Sequence, residues 1–105
     1  MPKYLLAFHG GRQFESKEEG MAHMKKWYAW MDDIGDAAVG KGFPVGKSKT
    51  VSTTGVADNG GANPLSGIKV IQAADMDAAL KIAQACPHID IGGTIEVAEA
   101  MNMDM

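Results

Sequence analysis

The only cysteine of the chain stands beside a proline and one of its three histidines, in Cys86-Pro87-His88. A thiol next to an imidazole is the pairing used in nucleophilic catalysis and in metal ligation. Neither reading suits this stretch. One cysteine supplies neither a Cys-based zinc site nor an iron-sulfur cluster. Its expected place, the last turn of a helix stopped by Pro87, does not lower a thiol pKa, so Cys86 reads as a small buried hydrophobe. His88, just past that helix end, can bond the last free carbonyls and is a candidate substrate contact.

The other two histidines offer acid-base chemistry. His23, Trp27 and Trp30 fall at i, i+4 and i+7 and share a helical face, an aromatic wall beside a titratable ring. They serve equally well as a boundary histidine over two core tryptophans. His9 closes a strand ahead of Gly10-Gly11 and Arg12, whose guanidinium can hold a carboxylate or an enolate; the competing reading is a solvent-facing turn histidine. Asp58 is the candidate acidic partner that would orient a histidine, or a simple turn former. The candidate catalytic residues are therefore His23, His9 and Asp58, with Trp27, Trp30, Arg12 and His88 as substrate contacts. No metal is expected, because the histidines lack spacings such as H-x-H or H-x-x-x-H. No cofactor is expected either, since no phosphate-binding glycine motif is present.

Composition narrows the partners. The 105 residues suit one domain, and 46% hydrophobic with 22% charged residues is the make-up of a globular chain rather than a disordered one. The formal net charge is −3, and the one basic pair, Lys25-Lys26, lies among acidic neighbours, so nucleic-acid binding is not expected. No apolar run reaches membrane-span length and no signal-peptide pattern follows Lys3, so no membrane partner and a cytoplasmic location are expected. A lone cysteine agrees with a reducing compartment. The eight methionines read as core filler.

The elements that would position these residues can be read along the chain. Residues 4–9 form a short apolar strand. Ser16 and Glu19 have capping-box spacing, and Met21, Met24, Trp27 or Tyr28, Met31, Ile34 and Ala38 draw an apolar helical stripe that ends near Gly40. Residues 43–53 read as an extended stretch in which Pro44 and Gly46 mark an edge strand or a bulge, because proline cannot donate to a ladder. Residues 55–66 read as a loop without structure of its own. Residues 67–73 form a third strand; Asp75 caps a second helix through Met76, Ala79, Leu80, Ile82 and Ala83; residues 94–101 form a fourth strand with a tail.

Strand, helix, strand, strand, helix, strand predicts an α+β fold: one ferredoxin-like βαββαβ sandwich over residues 1–105, an antiparallel sheet with both helices on one face. Leu5 and Ala7 on one side and Tyr4, Leu6 and Phe8 on the other cannot all be buried by such a chain alone. That predicts a homodimer, sheet against sheet.

With these elements in place, Lys3-Tyr4-Leu5-Leu6, the helix from His23 to Met31, Val70 to Leu80, and Cys86-Pro87-His88 followed by Gly92-Gly93-Thr94-Ile95-Glu96-Val97 resemble the YCII-related (DGPF-type) family. The resemblance implies a dimeric α/β barrel built from ferredoxin-like subunits, in a superfamily with small cofactor-independent monooxygenases and muconolactone isomerases. It also implies an active-site histidine with an acidic partner. Where the Asp-Gly-Pro-Phe motif should fall, the chain has Ala57-Asp58-Asn59-Gly60-Gly61-Ala62-Asn63-Pro64, in which Asp58 and Gly60 echo it. Two functions are expected: a small-molecule enzyme using a histidine acid/base on a carbonyl or phenol-like compound, or a non-catalytic dimeric module that binds a small ligand or a protein.

Overall fold

The computed structural model describes residues 1–101, and the expected C-terminal tail lies outside the described residues. The elements run β1 (Lys3–His9), α1 (Lys17–Ile34), β2 (Ala38–Pro44), β3 (Thr50–Ser52), β4 (Gly55–Ala57), β5 (Leu65–Gln72), α2 (Met76–Gln84) and β6 (Thr94–Glu99). Short 3-10 turns cover Gly35–Ala37 and Pro87–Ile91. Four strands pair antiparallel in the order β2-β5-β1-β6, and β3 with β4 makes a separate hairpin.

Local chemistry sets the element boundaries. Ser16 Oγ accepts the Glu19 N–H at 3.1 Å and starts α1. Glu19 returns its carboxylate to the Glu15 N–H at 3.1 Å, one residue earlier than in a standard capping box. Gly35, at φ 48°, ends the helix with its N–H on the Met31 carbonyl. Helix α2 starts where Asp75 Oδ1 accepts the Ala78 N–H at 2.9 Å. Cys86 is extended, as a residue before proline prefers, and Gly92 closes the following 3-10 turn in the left-handed region.

One core joins the layers. Tyr4, Leu6 and Phe8 of β1 and Ile71 of β5 meet Trp30 of α1 and Ala79 and Ala83 of α2, so both helices lie on the same face. The Trp30 indole donates to the Ile82 carbonyl at 3.0 Å. That carbonyl belongs to the last turn of α2, where no helical N–H remains for it, so Trp30 fastens one helix to the end of the other. On the opposite face Leu5 and Ala7 are half-buried.

Several expectations need correction. The structure is an α+β sandwich with two helices and antiparallel sheets, but no sheet closes into a barrel among the described residues, and the βαββαβ order is interrupted by the β3–β4 hairpin. The dimeric α/β barrel is thereby overturned. The four strands form an open sheet whose edges, β2 and β6, remain unpaired among the described residues.

Helix α1 stops at Ile34, so Ala38 opens β2 rather than continuing the stripe. Its buried residues are His23 and Trp30, whereas Met21, Met24 and Met31 are exposed and do not fill the core. The expected strand over 43–53 is divided between the end of β2 and β3, and the expected loop contains β4. Strand β2 is irregular: Val39 pairs with Val70 and Phe43 with Ile68, so three residues of β2 bulge against one of β5.

Candidate functional site

A cleft of about 750 Å³ opens between α1 and the β2–β5 side of the sheet. Phe8, Phe14 and Trp27 supply its aromatic wall, and His23 and His88 lie in it. Trp27 packs edge-on to Phe8 at 5.5 Å between ring centroids, and Phe8 edge-on to His88 at 5.4 Å. Such pairs hold aromatic rings at fixed angles, which gives the wall a definite shape. A second hollow of about 560 Å³ between α1 and α2 includes Trp30, Lys81 and Asp90 in its lining and none of the histidines.

His23 is 8% exposed and sits one turn before Trp27 on α1. The Trp27 indole Nε1 lies 2.7 Å from His23 Nε2. An indole N–H only donates, so His23 Nε2 must carry the lone pair, and the ring proton of the neutral imidazole sits on Nδ1. Burial pushes the His23 pKa down, opposed by the negative charge of Asp90 and helped by the positive charges of Lys26 and Arg12. Burial and the indole donor both favour the uncharged ring.

His88 shows the complementary arrangement. Its Nε2 lies 2.9 Å from the backbone carbonyl of His9, which can only accept, so Nε2 carries the proton and the lone pair of the neutral ring is on Nδ1. Two glycines make room for this buried ring. A Cβ at Gly93 would overlap the imidazole, and one at Gly11 would stand 3.0 Å from Cε1. The double glycine after Cys86-Pro87-His88 thus serves the histidine before it. Cys86 itself is 2% exposed, and burial pushes its thiol up to about 11.

His9 is not in the cleft lining. Its ring lies on the other side of β1, with Nδ1 at 2.9 Å from the Asn63 carbonyl and Nε2 at 3.2 Å from Glu96 Oε1. The histidine therefore ties the chain after the hairpin to β1 and β6. The acid beside a histidine is Glu96, which the sequence did not single out; the two are cross-strand diagonal neighbours, since Glu96 pairs with Ala7 and His9 with Thr94. Asp58 instead contacts Lys49 Nζ at 3.2 Å with its side chain 93% exposed. Trp30 is in the core and is absent from the cleft lining, whereas Trp27 and Arg12 line it. Arg12 is bound to Glu19 at 2.6 Å, which raises the arginine pKa and lowers that of the carboxylate.

Sequence reasoning missed Phe8 and Phe14 of the aromatic wall and one charged cleft residue. Lys69, opposite Leu6 in the β1–β5 register, points its strand position toward the helices and is 3% exposed. Its stem passes where β2 has no side chain: a Cβ on Gly42 would stand 2.6 Å from the Ile68 carbonyl and 2.9 Å from Lys69 Cβ. The available signal was a single lysine set between Ile68 and Val70 in the strand. Among the described residues no group of three or more His, Cys, Asp or Glu side chains gathers to hold a metal ion.

No family model matches the chain, and no curated protein matches it. The YCII-related (DGPF-type) resemblance is corrected by these results and by the open sheet, which lacks the barrel that the resemblance implies. The residues that carried it have a local explanation: a proline stop, a left-handed glycine turn and a glycine that admits His88 meet the needs of this joint.

Proposed function

We propose that the chain acts on a small, largely apolar ring compound held in the cleft between α1 and the sheet, moving a proton on it with its histidines. The observation that carries this reading is the complementary pair of fixed tautomers. Trp27 leaves His23 with a donor at Nδ1, and the His9 carbonyl leaves His88 with an acceptor at Nδ1. A carbonyl compound in the cleft would lose a carbon-bound proton to His88 Nδ1 while the enolate oxygen takes a hydrogen bond from His23 Nδ1–H. Return of the proton to the same or a neighbouring carbon completes an exchange or an isomerisation with no co-reactant.

A second reading is a non-catalytic ligand-binding module. It is favoured by the same two contacts, since each ring already spends one nitrogen on holding the fold together. Deuterium incorporation into aryl ketones in heavy water separates the two, with binding followed by Trp27 fluorescence. The enzyme reading expects exchange faster than in buffer, lost about 100-fold in His88→Ala. Ketones that bind without any accelerated exchange would overturn it and leave the binding module. Self-association is part of the proposal: the open face of the sheet carries half-buried Leu5, Ala7, Val39, Ile68 and Val70, a surface suited to a second copy of the chain.

A further inference from the structure

The chain is acidic, with a formal net charge of −3, yet no Asp or Glu lines the cleft among the described residues. The charged side chains there are Arg12 and Lys69. Arg12 is already neutralised by Glu19 at 2.6 Å and stands half in solvent. Lys69 differs in both respects. It is 3% exposed, and its Nζ has no hydrogen-bond partner among the described residues. An ammonium taken out of water with neither an opposite charge nor an acceptor is one of the costliest arrangements a fold can hold. An unmet, buried cationic group thus borders a cleft free of carboxylates.

We propose that the cleft takes an anionic ring compound, an aromatic or alicyclic carboxylate or a comparable oxyanion, whose charged group pairs with Lys69 Nζ. The ring of the ligand lies against Trp27 and Phe14. The anion replaces the hydration that Lys69 lost on folding, and the aromatic wall supplies the apolar contact. This inference rests on the cleft being a small-molecule site and adds the charge of what occupies it.

The test is calorimetric titration of the intact chain with a series of one- and two-ring aromatic carboxylates and their primary amides, which match in shape and differ in charge. The acids are expected to bind about tenfold or more tightly than the amides, a preference that disappears in Lys69→Met while amide binding remains. Unliganded Lys69→Met is expected to melt no lower than the parent, because a buried unpaired charge has been removed. Equal binding of acids and amides would overturn the anionic ligand and leave the cleft reading intact. A preference that survives in Lys69→Met would overturn Lys69 as its seat. Binding of neither series would overturn the small-molecule cleft itself, and this inference with it.

Discussion

The indole of Trp27 donates its N–H to Nε2 of His23 across 2.7 Å, one helical turn away, and so fixes which nitrogen of the histidine holds the proton. The bond favours the neutral ring, in the same direction as burial. Ring-proton titration by NMR is therefore expected to give His23 a midpoint below the ordinary histidine range. Trp27→Phe, which removes the donor, is expected to move that midpoint up; an unchanged midpoint would show that the contact has no part in setting it.

The same shift makes stability depend on pH with a definite sign. A histidine whose folded pKa is depressed contributes stability that is present above the unfolded value, about 6.5, and is lost as pH falls toward the folded value, because the unfolded chain takes up the proton first. Denaturant midpoints of the parent should fall between about pH 7.5 and about pH 5 by more than those of His23→Gln. Parallel curves for the two proteins would assign the loss to other groups.

Gly93 and His88 are coupled by space. Gly93→Ala forces the buried ring away from the His9 carbonyl, and the expected cost is about 1–3 kcal/mol in chemical denaturation. In a His88→Ala background the same substitution should cost much less, since the clash is gone. Additive effects in this double-mutant cycle would contradict the packing assigned to the pair.

Cys86 is expected to be inert while the chain is folded. With its pKa pushed up to about 11, roughly one thiol in a thousand is ionised at about pH 8, and the residue is buried besides. Labelling by a thiol reagent should follow the rate of unfolding. Rapid stoichiometric labelling of the native protein would refute the buried placement.

Self-association through the open sheet face is checked by sedimentation. The parent is expected to sediment as a dimer and Val70→Lys as a monomer with an unchanged circular-dichroism spectrum. A parent that remains monomeric at high concentration would remove the second copy from the proposal.

Local signals were legible where one residue dictates backbone geometry. Ser16 with Glu19, Asp75, and Pro87 after Cys86 each mark a boundary that the structure keeps. Long-range placement was not. Lys69 stands in a strand with apolar residues on both sides, and a one-residue slip in register exchanges the two faces, so nothing local says that it joins the core. The His9–Glu96 contact spans 87 positions and exists only once β1 and β6 pair. The hairpin of β3 and β4 is exposed throughout and carries no apolar alternation to reveal it. Asp58 was chosen for its type, yet that excursion of the chain commits it to Lys49. The methionines of α1 follow helical spacing without being core, because His23, Trp27 and Trp30 form the side that packs inward.

The broken pairing of β2 bears on how copies of the chain can meet. An edge strand with a continuous row of N–H and C=O groups invites a neighbouring molecule to add its own strand, the first step toward fibrils. Here Gly40 turns into the left-handed region at φ 68°, exposed Lys41 follows it, and Pro44 brings no N–H, all within seven residues. A foreign strand laid along this border would find a gap, a charge and a missing donor. Growth by strand addition is thereby blocked on the β2 side of the sheet.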